Sequence, residues 1–286
     1  AVTSSVIRDL RIINILDDGL IMQHTSNTNI HIDNLYTLKS STGTSADTVE
    51  VTGTSVYVSG FFDQNNVAAS SFTSAYLHNS TIYVNGARLP LGAGTPLVGL
   101  QPFTGPTGPY IVNVDVYAKG SVVLNNGNLA TGVLAGRDVR IHGREATFFN
   151  VGTNGGSASG GGEIWRSISI DGQWFPRTTT PFSVNSVNGL LIHDMQVDAS
   201  SVSGGLGGLF YLTSTNAMDR INDNIHVNNL VVKNIASGAV SNYFFSSNTG
   251  NQLVGNFTMF GGSIAENNVI APANLISAGI GTTYLR

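Results

Sequence analysis

Within residues 113–193 the sequence gathers Asp115, Asp138 and Asp171 with Arg140, Arg144, His142 and His193, in a chain where only 10% of residues are charged. Glycoside hydrolysis uses two carboxyl groups, about 5 Å apart for retention and about 6.5 to 9.5 Å apart for inversion. If NVDVYA from Asn113 and DVRIHG from Asp138 are neighbouring strands in register, Asp115 and Asp138 lie one strand apart and two residues offset. That is roughly 8 Å by strand geometry, inside the inverting window. The same register puts Arg140 directly beside Asp115, which reads more simply as a surface ion pair. His142 then falls between Tyr117 and Asp171, either oriented for proton transfer or simply solvated in a stack.

Downstream, EIWRSISIDGQWF places Trp165, Trp174 and Phe175 among Glu163, Arg166, Asp171 and Arg177. Aromatic rings beside polar groups suit sugar faces, although tryptophans of a β protein are also commonly buried. The catalytic candidates are thus Asp115, Asp138 and Asp171. The substrate-binding candidates are Tyr117, Arg140, His142, Arg144, Arg166, Trp174 and His193. The six histidines are scattered without metal-ligand spacing and no Asp-rich calcium loop occurs, so no metal and no other cofactor is expected. Zero cysteines exclude thiol catalysis, disulfides and Cys-based zinc sites.

The elements that would position these side chains come from a repeated six-residue phrase: polar, aliphatic, any, aliphatic, any, then Gly, Asn or another turn-prone residue. It reads DLRIIN from Asp9, NIHIDN from Asn29, SVYVSG from Ser55, TIYVNG from Thr81 and NVDVYA from Asn113. It continues as DVRIHG from Asp138, SISIDG from Ser167, GLLIHD from Gly189, NIHVNN from Asn224 and NFTMFG from Asn256. The second and fourth positions are apolar in every copy, and period-two alternation puts them on one face of a short strand. One such strand cannot bury its face alone. Stacked in parallel about 4.8 Å apart, ten of them bury a continuous column about 48 Å long. The sixth position is mostly Gly or Asn, residues that tolerate left-handed backbone, with Ala118 and Asp194 as exceptions.

SVVLNN, EATFFNV and LVVKNI add further β-like runs between the copies. An antiparallel sandwich also shows short alternating strands but would not need ten copies of one phrase. The expected fold is therefore all-β: one domain over residues 1–286, a parallel β-helix, or β-solenoid, of about ten coils. On this alignment His31 and His226 share an outward column at opposite ends of the rod. Spacing swells at residues 90–109, 152–163 and 199–223, where loops leave the scaffold, and loops are where binding residues often sit.

A net charge of −4 gives no electrostatic reason to expect nucleic acid or an anionic membrane as partner. No apolar segment approaches the roughly 20 residues of a spanning helix, so membrane insertion is not expected. The chain begins at Ala1 without Met, which reads as a processed, excised or fragmentary product of a longer chain.

The repeat resembles the pectin-lyase-like class of right-handed parallel β-helices, and its loose coils with Ser, Thr, Asn and Gly surfaces are similar to phage tailspikes and tail fibres. The NTD, GHG and RIK signatures of polygalacturonases and the WIDH phrase of pectate lyases are absent, so no family catalytic residue is carried over. The resemblance implies an extracellular virion or cell-surface protein, a homotrimer, that attaches to host polysaccharide or glycan, with cleavage as an added activity. One alternative is a secreted polysaccharide lyase or glycoside hydrolase acting through Asp115, Asp138 and Asp171 with Arg140 or Arg144. A second is a structural spike or adhesin rod, for which Ile13, Leu191 and Phe260 would supply outward apolar stripes.

Overall fold

Short runs of β-branched and aromatic residues, broken every few positions by Asn, Gly or Ser, favour strands with tight bends over helices. The computed structural model describes residues 3–14, 20–22, 28–38, 47–51, 56–59, 62–65, 69–73, 75–84, 98–101, 111–118, 121–124, 134–151, 164–177, 182–185, 187–202, 209–213, 223–234, 245–247, 254–264 and 280–285. Among them are 23 strands and no helix.

The strands form one sheet of 14 and one of 9, and every pairing is parallel. The larger runs in chain order from Thr3–Arg8 through Thr28–Asp33, Val56–Ser59, Ala75–Val84, Ile111–Ala118, Leu134–Ala146, Ile164–Trp174, Val187–Asp198, Asp223–Lys233 and Val254–Ile264 to Ile280–Leu285. Arg11–Ile13, Tyr36–Leu38 and Phe62–Asn65 extend it near the N-terminal end. The smaller sheet runs, also in chain order, from Leu20–Met22 to Phe245–Ser247. From Leu20 to Ile264 the chain visits the two sheets alternately, each visit laying its strand or strands beside those of the previous visit to the same sheet.

From residue 111 onward the register follows the repeat. Val114, Val139, Ile168, Leu190, Ile225 and Phe257 form one line across the strands, and Val116, Ile141, Ile170, Ile192, Val227 and Met259 form another. All twelve are buried. On the smaller sheet Phe149, Phe182 and Phe210 form a third line, with ring centroids 4.8 Å and 4.9 Å apart. Stacking identical rings along a parallel ladder fills the interior at each step without a change of shape.

Three of the ten copies, NIHIDN, SVYVSG and TIYVNG, are placed differently from expectation. The partner of NIHIDN is SSVIRD, residues 4–9, because Ser5, Val6, Ile7 and Arg8 pair with Ile30, His31, Ile32 and Asp33; DLRIIN starts only at its end. Likewise Val56–Ser59 pairs with the start of Ala75–Val84, whereas Ile82 and Val84 pair with Val116 and Ala118.

The line through Asp33 passes Ser59, His78, Val112, Arg137, Arg166 and Asn188 to reach Asp223. Asn34 therefore stands level with Asn224, and NIHVNN begins where NIHIDN ends. His31 and His226 do not share a line; His226 instead shares one with Asp115, Thr81 and Arg11.

The cause is a five-residue spacing of left-handed residues, seen at Ser4, Asp9 and Asn14 and again at Asn224, Asn229 and Asn234. Phrases on either side of such a bend have the same polar-apolar pattern, so sequence alone cannot tell them apart. One bend line holds Asp9, Asn34, Asn79, Asn113, Asp138, Ser167, Gly189 and Asn224, all at positive φ. Short polar side chains adopt that conformation most readily after Gly. Here they also bond along the line: Asn34 Nδ2 donates to Asp9 Oδ1 at 2.7 Å and Asn113 Nδ2 to Asn79 Oδ1 at 2.9 Å.

Gly143 occupies the sixth position of its phrase, yet it is not among the residues at positive φ. A Cβ there would overlap the indole of Trp174. Its partner Gly172 is the left-handed member, at φ +84°. The expected loops at 90–109 and 152–163 lie outside the described residues apart from Val98–Gln101. Of the segment 199–223, Ala199, Val202, Leu209 and Phe210 are described and buried.

Candidate ligand-binding wall

Two outward lines of the larger sheet carry the charged candidates. The first runs Asp115, Arg140, Ser169, Leu191, His226, Thr258. The second begins Tyr117, His142, Asp171 and resumes as His193, Asn228, Phe260 beyond a register shift between Ile170 and Gly172. Because side chains alternate along a strand, both lines face away from the buried valines and isoleucines between them.

Arg140 grips Asp115 with two parallel bonds, Nε to Oδ1 and Nη2 to Oδ2, the latter at 2.8 Å. This fork-on-fork geometry is the strong form of a carboxylate–guanidinium pair. Nη2 also donates to Asn113 Oδ1 at 2.8 Å, tying the pair to the bend of the preceding strand. The guanidinium holds the Asp115 carboxyl below its ordinary value against the opposing effect of burial, and the carboxylate raises Arg140 in turn. Asp115 thus stays charged, which suits a binding carboxylate and not a proton-donating acid.

His142 bridges two carboxylates. Its Nδ1 lies 2.9 Å from both Asp171 oxygens, and its Nε2 is 3.4 Å from Asp115 Oδ1. The bond with Asp171 is the largest influence on the ring and raises its pKa above the ordinary imidazole value, although burial pulls the other way. Tyr117 stacks on the ring face, with centroids 4.5 Å apart and planes 24° from parallel. His193 Nε2 approaches Asp171 Oδ2 at 3.7 Å, and its Nδ1 is 3.1 Å from Asp194 Oδ2. The side chains of Asp115, His142 and Asp171 are 26%, 23% and 20% exposed, accessible from outside yet partly shielded.

The structure therefore brings together Asp115, Tyr117, Arg140, His142, Asp171 and His193. Asp138 is not on either line. It sits on the bend line at φ +58° and accepts from its neighbour Arg137 at 2.7 Å. Both carboxylates of the expected acid pair are thus held by guanidiniums. Arg144 is exposed and pairs in register with Gln173, and exposed Arg166 lies between Arg137 and Asn188; neither lies on the two lines.

Trp174 is a correction: it is fully buried, edge-on to Phe149 and Phe182, and its Nε1 donates to the Asp171 carbonyl at 2.8 Å. It supports the wall from beneath and offers no face to a ligand. Asn113 and Asp194 were not expected as members of the wall. Their signal was present, since Asn113 stands two residues before Asp115 and Asp194 breaks the Gly/Asn rule immediately after His193. Among the described residues no group of His, Asp or Glu is arranged to hold a metal ion.

No protein-family model, curated protein or solved structure matches the chain.

Proposed function

We propose that the chain winds as a parallel β-helix of about ten coils, of the pectin-lyase-like and tailspike-like kind, and that its polar wall recognises a host cell-surface polysaccharide. The protein is then an extracellular virion or cell-surface component, working as a homotrimer. The alternation of the chain between two parallel sheets supports the winding, since each circuit returns to both sheets in turn.

One observation carries the ligand reading: a partly exposed aromatic ring, Tyr117, stacks on His142 within a hydrogen-bonded array of Asp115, Arg140, His142 and Asp171. Sugars present apolar ring faces edged by hydroxyls, and a flat ring beside fixed donors and acceptors complements both. A wall that is already ordered loses little entropy on binding.

Polysaccharide cleavage is the second reading, and one observation favours it. His142 is oriented at Nδ1 by Asp171, the arrangement that fixes an imidazole for proton transfer at its other nitrogen. That nitrogen faces Asp115, so a substrate would have to enter between them. Immobilised capsular polysaccharide and lipopolysaccharide preparations separate the readings. Retention of the protein without shortening of the chains supports recognition, shortening abolished by Asp171→Asn supports cleavage, and neither effect on any preparation refutes both.

A further inference from the structure

A neutral imidazole has one N–H and one lone pair, and only the cation donates from both nitrogens. His142 has a carboxylate at each nitrogen, Asp171 at Nδ1 and Asp115 at Nε2. A neutral ring would have to turn its lone pair toward one of them. We propose that a single proton on His142 acts as a reversible clamp across three adjacent strands, linking Asp115 on Ile111–Ala118 to Asp171 on Ile164–Trp174 through the ring on Leu134–Ala146.

The groups that face the ring are few. Ile111–Ala118 supplies Asp115 and the stacked Tyr117. Its own strand supplies Arg140, which bonds both Asp115 oxygens and shares Oδ1 with His142, with Asp138 and Arg144 elsewhere along that strand. Ile164–Trp174 supplies Asp171, and Val187–Asp198 supplies His193, which reaches Asp171 at 3.7 Å and is itself met by Asp194. Asp115 and Asp171 together carry two negative charges against one on Arg140, so the proton on His142 completes the local balance. The elevated pKa of the ring accords with this arrangement. When pH rises past that elevated value the ring keeps one carboxylate link and loses the other, while the backbone ladder and Arg140 hold the strands and Asp115 in place. The clamp needs no glycan and stands apart from the ligand reading.

Nitrogen-15 NMR of the histidine side chains tests it on the intact protein. At mildly acidic pH the His142 ring is expected to show both N–H groups, with a titration midpoint above the ordinary imidazole value. Asp171→Asn and Asp115→Asn should each move that midpoint back down, so either variant suffices if the other fails to fold. A neutral single-tautomer ring at mildly acidic pH, or a midpoint that neither substitution moves, would overturn the clamp.

Discussion

Arg140 and Asp115 meet through two parallel hydrogen bonds from adjacent strands, and the same guanidinium continues to Asn113 at the bend. One side chain therefore fixes both a wall carboxylate and the turn that aims it. Replacing it with Ala leaves Asp115 facing His142 alone. The pair is about a third exposed, so solvent screening limits the loss to about 1 kcal/mol of stability. Urea unfolding of Arg140→Ala checks this, and Arg140→Lys should recover only part of the loss because an ammonium cannot form the fork.

Gly143 and Trp174 make a second pair. A Cβ at position 143 enters the indole, which has no room to retreat because Phe149 and Phe182 hold it edge-on. Gly143→Ala is expected to cost about 1–3 kcal/mol through overpacking, read as a fall in melting temperature. A variant as stable as the parent would show that the indole does not lie over Gly143.

At Asn224 the backbone is left-handed, φ +52°, and its side chain both donates to Asn188 Oδ1 and accepts from Asn256. Asn224→Ala should cost about 1 kcal/mol or more, since Ala pays the steric cost of the left-handed region without the bonds. Asn224→Gly should cost less, because Gly relieves the backbone. Equal losses for the two, measured by chemical denaturation, would locate the whole effect in the hydrogen bonds.

Stability should depend on pH in two windows of opposite sign. His142 has a raised pKa when folded, so its contribution is complete below the ordinary imidazole value and is lost as pH rises through the raised one. Asp115 has a lowered pKa, so its contribution is complete above the ordinary carboxylate value and is lost as pH falls through the lowered one. In paired melting profiles, the deficit of His142→Gln relative to the parent should shrink on the alkaline side, and that of Asp115→Asn on the acid side. A constant deficit across both windows would contradict these shifts.

Much of this was legible in the sequence where one residue type recurs on one line. The buried columns of Val114 to Phe257 and Val116 to Met259 follow from period-two alternation, and so does the meeting of Asp115 with Arg140 and of His142 with Tyr117 and Asp171. The N-terminal register was not legible. Bends five residues apart make the phrase before a bend look like the phrase after it, and only the pairing of Asp33 through to Asp223 separates them. Trp174 misled because an indole suits a sugar face and a core equally well; the glycine beneath it, Gly143, carried the missing clue but read as a bend. Asp194 sits in the sixth column, whose pattern marks only a corner, and Asn113 in the first, whose pattern marks only a polar residue, so neither stands out as a wall member.

The most direct test of the ligand-binding wall is surface plasmon resonance on immobilised host-type polysaccharide, comparing the parent with Tyr117→Ala and Arg140→Ala variants whose circular dichroism is unchanged. Loss of the stacked ring or of the paired guanidinium is expected to weaken binding roughly tenfold, the equivalent of about 1.4 kcal/mol. Binding by both variants as tight as that of the parent would contradict the assignment of recognition to this wall.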